Sequence, residues 1–163
     1  MYVRLSAWIV LAAALAAGAP LAANAQTGGG EYPFTGARTV TSSQAFEAVV
    51  ARLETAIEAN KMGLVAQASA SRGAAARGVK IRGNAVLMVF RNDYAVRMLA
   101  ASVPAGIEAP LRLYITEDRD GRTSVTWRSP SAVFAPYGSA DLNALARELD
   151  PIFEKIVRDA AGN

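Results

Sequence analysis

Neither histidine nor cysteine occurs anywhere in this 163-residue chain. Their absence removes the Ser-His triad, the thiol nucleophile, the usual nitrogen and sulfur zinc site and histidine-held haem. Without cysteine there is also no lipid-modified cysteine and no disulfide, so a core alone must hold the fold. Lysine is scarce: Lys61, Lys80 and Lys155 are spread along the chain, and none sits at a recognisable spacing from a serine that a Ser-Lys pair would need. Charge of one sign is lacking too. With 17 basic and 14 acidic residues the net charge is only +3, too small for a nucleic-acid partner. This inventory names no catalytic residue, no cofactor and no metal site.

The first residues read as an export signal. Arg4 supplies a positive start, Leu5 to Ala17 is an uncharged apolar core, and Ala23-Asn24-Ala25 fits a small-x-small cleavage site. The apolar core is short for a span of about 20 residues and is interrupted by Gly18 and Pro20, which argues against an uncleaved anchor. Cleavage after Ala25 gives a periplasmic or secreted product that begins at Gln26 and keeps no stable membrane anchor. Three segments follow: a signal peptide over 1–25, a flexible Gly-rich leader over 26–36, and a single α+β domain over 37–160.

The clearest local signal runs from Pro110 to Trp127. Leu111, Leu113 and Ile115 alternate with Arg112, Tyr114 and Thr116, and Thr123, Val125 and Trp127 alternate with Ser124, Thr126 and Arg128. That is the period of a half-buried antiparallel hairpin, with Asp120-Gly121 supplying the turn. Burying the apolar set against one core sets Leu113 near Trp127 and Ile115 near Val125. On the opposite face the same register sets Arg112 across from Arg128 and Tyr114 across from Thr126. Like charges across a strand pair repel, so an anion, a lipid head group or a carboxylate of a second subunit between the two guanidinium groups would relieve the repulsion. Divergence of both side chains into water, or pairing with local acidic residues, is the alternative. Arg112, Tyr114 and Arg128 are the candidate anion or partner site, and a homodimer through the sheet is the candidate assembly.

Elsewhere, Arg38 to Ser42 reads as a first strand. Phe46, Val49, Val50, Leu53 and Ile57 have helical spacing, with Ser43 as N-cap and Gly63 free to take positive φ at the far end. A second strand lies near Leu64 to Ser69, and a short helix fits Ala74-Ala75-Ala76. Ala85 to Phe90 is a continuous apolar run of the kind buried centrally in a sheet. Asn92 or Asp93 caps a helix carrying Ala95, Met98 and Leu99. Leu142, Leu145, Leu149, Ile152, Phe153 and Ile156 form one face of a C-terminal helix, with a kink or restart expected at Pro151 and Asp150 as its cap. The order β-α-β-(α)-β-α-β-β-α predicts a two-layer α+β fold, an antiparallel sheet with helices packed on one face.

Two charged stretches invite ligands. Arg72, Arg77, Lys80, Arg82 and Arg91 follow one another with no acidic residue between them, which fits either a solvated loop or a phospholipid head group. Glu117, Asp118 and Asp120 lack the twelve-residue calcium pattern and are interrupted by Arg119 and Arg122, so a hairpin turn is expected there.

Several residues resemble DUF302, a family of bacterial domains of unknown function. They are Leu53 and Gly63, Val89-Phe90-Arg91-Asn92, and Ala109-Pro110-Leu111-Arg112-Leu113 leading to Glu117 and Gly121, then Val125, Trp127, Pro130 and Tyr137-Gly138. The likeness runs from about Arg38 to Gly138. It implies a two-layer antiparallel sheet with helices, similar in shape to the TATA-binding-protein-like group, and implies no activity. Many relatives have Gly-Asn-Pro where this chain has Arg91-Asn92-Asp93. Many also have a histidine where this chain has Ser71-Arg72-Gly73, so a histidine-dependent role does not carry over. Two functional classes remain: a non-catalytic periplasmic binding or interaction module, and an enzyme using only carboxylates and arginines. For the second, Glu117 or Glu108 would sit in a cleft with a raised pKa.

Overall fold

The computed structural model describes residues 32–162. The export signal and the leader up to Glu31 lie outside the described residues. Five strands form one sheet: β1 (Ala37–Ser42), β2 (Gly63–Ser69), β3 (Asn84–Phe90), β4 (Leu111–Glu117) and β5 (Thr123–Arg128), in the spatial order β1-β5-β4-β3-β2. Every neighbouring pair is antiparallel. The helices are α1 (Phe46–Ala59), α2 (Ala70–Ala75), α3 (Asn92–Ala101), α4 (Pro130–Phe134) and α5 (Ala140–Ala161), with 3-10 turns at Val103–Glu108 and Ala135–Tyr137. This is the two-layer α+β fold that the alternating patterns predict.

Burial of one sheet face explains the packing. Leu87 and Val89 of β3, Leu113 and Ile115 of β4, and Val125 and Trp127 of β5 share a core with Val49, Val50, Leu53 and Ile57 of α1. Leu142, Leu145, Leu149, Phe153 and Ile156 of α5 complete it. The hairpin register is the expected one: Leu113 opposes Trp127, Tyr114 opposes Thr126 and Ile115 opposes Val125. At its tip the Asp118 carboxylate accepts from the backbone amides of Asp120 and Arg122, each at 2.9 Å, while Gly121 takes φ +78°. Those bonds make the acidic cluster a turn. The Arg122 amide, above all, holds the Asp118 carboxyl below the usual carboxylate range.

Several local expectations are corrected. Helix α1 begins after Ala45 with no side-chain cap; the hydroxyl of Ser42, not Ser43, accepts from the Gln44 amide at 3.2 Å. The positive φ after α1 belongs to Lys61 (φ 57°), whereas Gly63 opens β2 in tight quarters, 3.1 Å separating the place of a Cβ from the Phe90 carbonyl. Neither Asn92 nor Asp93 caps α3: Arg91 holds that position, and Asp93 binds the Arg91 guanidinium at 2.6 and 2.9 Å instead. Helix α5 does not restart at Pro151. Pro151 is exposed, so the carbonyl left without its intrahelical donor faces water, and Asp150 serves α4 by accepting from the Ser131 amide at 2.9 Å. The apolar run Ala85 to Phe90 is an inner strand, paired with β2 and β4, but its outward residues are only half-buried. A continuous apolar run thus marks here a strand with one closed face and one open apolar face.

Candidate anion-binding face of the sheet

The sheet's second face carries Thr39 and Thr41 on β1, Ser124, Thr126 and Arg128 on β5, Arg112, Tyr114 and Thr116 on β4, and Asn84, Val86 and Met88 on β3. Alternation away from the buried set defines these positions. Cross-strand polar pairs organise the face. The hydroxyls of Thr39 and Thr126 lie 2.9 Å apart and those of Thr41 and Ser124 3.0 Å apart, at directly opposed positions. Asn84 donates from Nδ2 to the Tyr114 hydroxyl at 2.7 Å, which leaves the phenolic proton for another acceptor.

Sequence reasoning brings Arg112, Tyr114 and Arg128 to this face, and the strand order keeps them on adjacent strands. Arg112 is exposed and lies opposite Met88. Continuing the hairpin register by one residue sets it across from Arg128. Arg128 is half-buried: its Nη2 donates to the Ala132 carbonyl at 3.4 Å, and its guanidinium lies 5.4 Å from the centre of the Phe34 ring. Its Nε is buried and has no acceptor among the described residues. A buried N–H of a charged group without a partner is costly, more so than for a neutral donor. Two neighbours of this site were missed in the sequence. Asn84 reads there only as the boundary of an apolar run, and Phe34 only as part of the leader. The leader's last residue, Gly36, is also packed: its backbone at φ +76° sits so close to Ala132 that a Cβ would lie 2.1 Å from the Ala132 Cβ.

A concavity lies on the helix side, between the end of β3, α3 and α5. Met62, Val89, Met98, Phe134 and Leu145 line it, with Arg91 and Tyr94 among its walls. Its volume of about 30 Å³ admits roughly two water molecules and no larger ligand. Arg91 is already engaged by Asp93 and lies 4.2 Å from the centre of the Tyr94 ring. The two carboxylates considered for acid-base work are both hydrogen-bonded, and neither lines this concavity. Glu117 Oε2 accepts from the Gly83 amide at 2.8 Å, and Glu108 Oε1 accepts from the Tyr137 hydroxyl at 3.0 Å. Burial, helped by that carboxylate, pushes the Tyr137 hydroxyl up from its ordinary value. Among the described residues no group of three or more acidic, histidine or cysteine side chains is placed to hold a metal ion, and no helix is long and apolar enough to cross a membrane.

Comparison with known proteins agrees with this architecture. A crystal structure of an uncharacterized conserved protein DUF302 from Bacillus stearothermophilus superposes with a TM-score of 0.69 at 18% sequence identity, covering 77% of this chain and 98% of that one. At that identity the likeness speaks for the fold alone. No curated protein matches the sequence. The family profile described as Domain of unknown function DUF302 matches residues 38–160. The chain therefore belongs to the DUF302 family.

Proposed function

We propose that this DUF302 protein is an exported, non-catalytic binding module that takes a small anion on the open face of its sheet. The anion is a phosphate or carboxylate group, free, on a lipid head group, or on a second subunit in a homodimer. The observation that carries the reading is the Arg128 Nε: buried, cationic and without an acceptor among the described residues. Arg112 across the strand pair supplies a second guanidinium, and Tyr114, oriented by Asn84, supplies a neutral donor. An anion between the two guanidinium groups would relieve the repulsion between like charges, and a small turn of the Arg128 side chain toward it would give the orphaned Nε an acceptor. Export is supported by the sequence of residues 1–25, with its positive start, apolar core and small-residue cleavage site.

Ligand-linked stability tests the reading. Inorganic phosphate in the millimolar range raises the melting temperature of the wild type by mass action, because a ligand that binds only the folded state stabilises it. Arg112→Ala combined with Arg128→Ala abolishes the rise while the protein still melts cooperatively. An equal rise in the wild type and the double variant refutes the site.

A further inference from the structure

We propose that the basic loop joining α2 to β3 docks on a bilayer surface rich in anionic lipid. This surface is separate from the sheet-face site and does not rest on it. The loop enters β3 at Asn84, opposite Thr116, whereas Arg112 lies opposite Met88 toward the other end of the same strand pair.

Within the loop, cations alternate with aliphatic residues: Arg77, Val79, Lys80, Ile81 and Arg82. Arg77, Lys80 and Arg82 are exposed, and none makes an ion pair among the described residues. Nearby charges are matched instead. Arg72 holds Glu47 at 2.6 Å, and Arg122 holds Asp118 at 2.8 Å on the adjoining hairpin tip. Val79 and Ile81 stand 51% and 47% exposed in water. Two aliphatic side chains set among three unmatched cations match a surface that is apolar beneath and negative above. A free anion or a nucleic-acid backbone would use the cations and leave Val79 and Ile81 without a role.

Both ends of the loop are tied down. The Val79 amide donates to the Ala74 carbonyl at 3.0 Å, and Gly78 turns the chain at φ +75°. At the far end, Gly83 exchanges bonds with Glu117: the Glu117 amide donates to the Gly83 carbonyl at 2.9 Å, and the Gly83 amide donates to Glu117 Oε2 at 2.8 Å. The exposed residues between these ties are therefore presented from a fixed base.

Vesicle sedimentation decides the matter, using the protein in the form that accumulates in its own cell. Vesicles of phosphatidylglycerol mixed with phosphatidylcholine bind the wild type, vesicles of phosphatidylcholine alone bind it far less, and raising the salt weakens the difference. Lys80→Gln with Arg82→Gln lowers the affinity for the anionic vesicles about 25-fold, at about fivefold per charge. Val79→Ser with Ile81→Ser weakens binding to the same vesicles at unchanged net charge. Lys80→Gln with Arg82→Gln keeps the phosphate-induced rise in melting temperature that the sheet-face site predicts, so this surface stands or falls apart from that site. Equal binding to both kinds of vesicle overturns the proposal. So do loop variants that bind like the wild type, or full displacement of the protein from anionic vesicles by millimolar inorganic phosphate at constant ionic strength.

Discussion

Along β3, neighbouring residues face two different environments. Ala85, Leu87 and Val89 are buried against the helices, while Asn84, Val86 and Met88 between them are half-buried on the other face. The same contrast runs through β4, where Leu113 and Ile115 are fully buried and Arg112 is exposed. On the closed face, apolar volume determines identity: a core packed at crystal-like density accepts few side chains at each position. On the open face, cross-strand hydroxyl pairs and the bond between Asn84 and Tyr114 take the place of packing. Thr126 is buried there, while Arg112 stands exposed on the same face, so its positions are held by polar pairing more than by apolar volume.

The contrast is sharpest for a charge placed on each face. Leu113→Asp buries an unpaired carboxylate and lowers unfolding free energy by several kcal/mol, roughly 4 kcal/mol, whereas Thr116→Asp on the open face lowers it by less than about 1 kcal/mol. Urea denaturation of both variants measures the difference, and equal midpoints would dissolve the distinction between the faces.

Truncation of adjacent side chains gives a smaller and finer test. Leu87, fully buried, loses about 3 kcal/mol on Leu87→Ala, while Met88→Ala loses about 1 kcal/mol because its side chain is only partly removed from water. Thermal melts of the two variants should separate clearly. A larger loss at Met88 would mean that the open face is covered after all.

The smallest effect is electrostatic and lies outside the sheet. The Arg91 guanidinium lowers the Asp93 carboxyl from its ordinary value, the Arg97 guanidinium lowers that of Glu148, and the Arg122 backbone amide lowers that of Asp118. A carboxylate whose folded pKa is depressed adds stability above its unfolded pKa, about 4, and that contribution is lost as pH falls through the lowered folded value. The melting temperature should therefore stay level from pH 7 to about pH 5 and decline below about pH 4. The decline is modest because these pairs are exposed. The Leu87→Ala variant should show the same decline, since its lesion lies on the closed face; a rise on acidification in either protein would contradict the assignment.

Much of the closed face was legible in the sequence. Period-two alternation in the hairpin gave its register, and the helical spacing of Phe46 to Ile57 and of Leu142 to Ile156 gave the two main helices. What escaped was decided by contacts distant in the chain. Asp150 looks like a helix cap but is taken by Ser131, and Asp93 looks like a cap but is taken by Arg91. The strand Ala85 to Phe90 lies inside the sheet as its apolar run suggests, but such a run does not reveal that one of its faces is only half-covered. The candidate site was half legible. Arg112, Tyr114 and Arg128 follow from alternation, but the orienting bond from Asn84 joins residues 30 positions apart, and the burial of Arg128 Nε depends on tertiary packing.

The most direct measurement is the nitrogen-proton correlation of arginine Nε groups during a phosphate titration. Anion binding at the sheet face predicts that the Arg128 Nε–H resonance moves saturably and slows its exchange with water, that Arg112 moves along the same binding curve, and that exposed Arg147 stays still. If Arg128 remains unmoved, or shifts no more than Arg147 does, the open face holds no anion and the account of it is wrong.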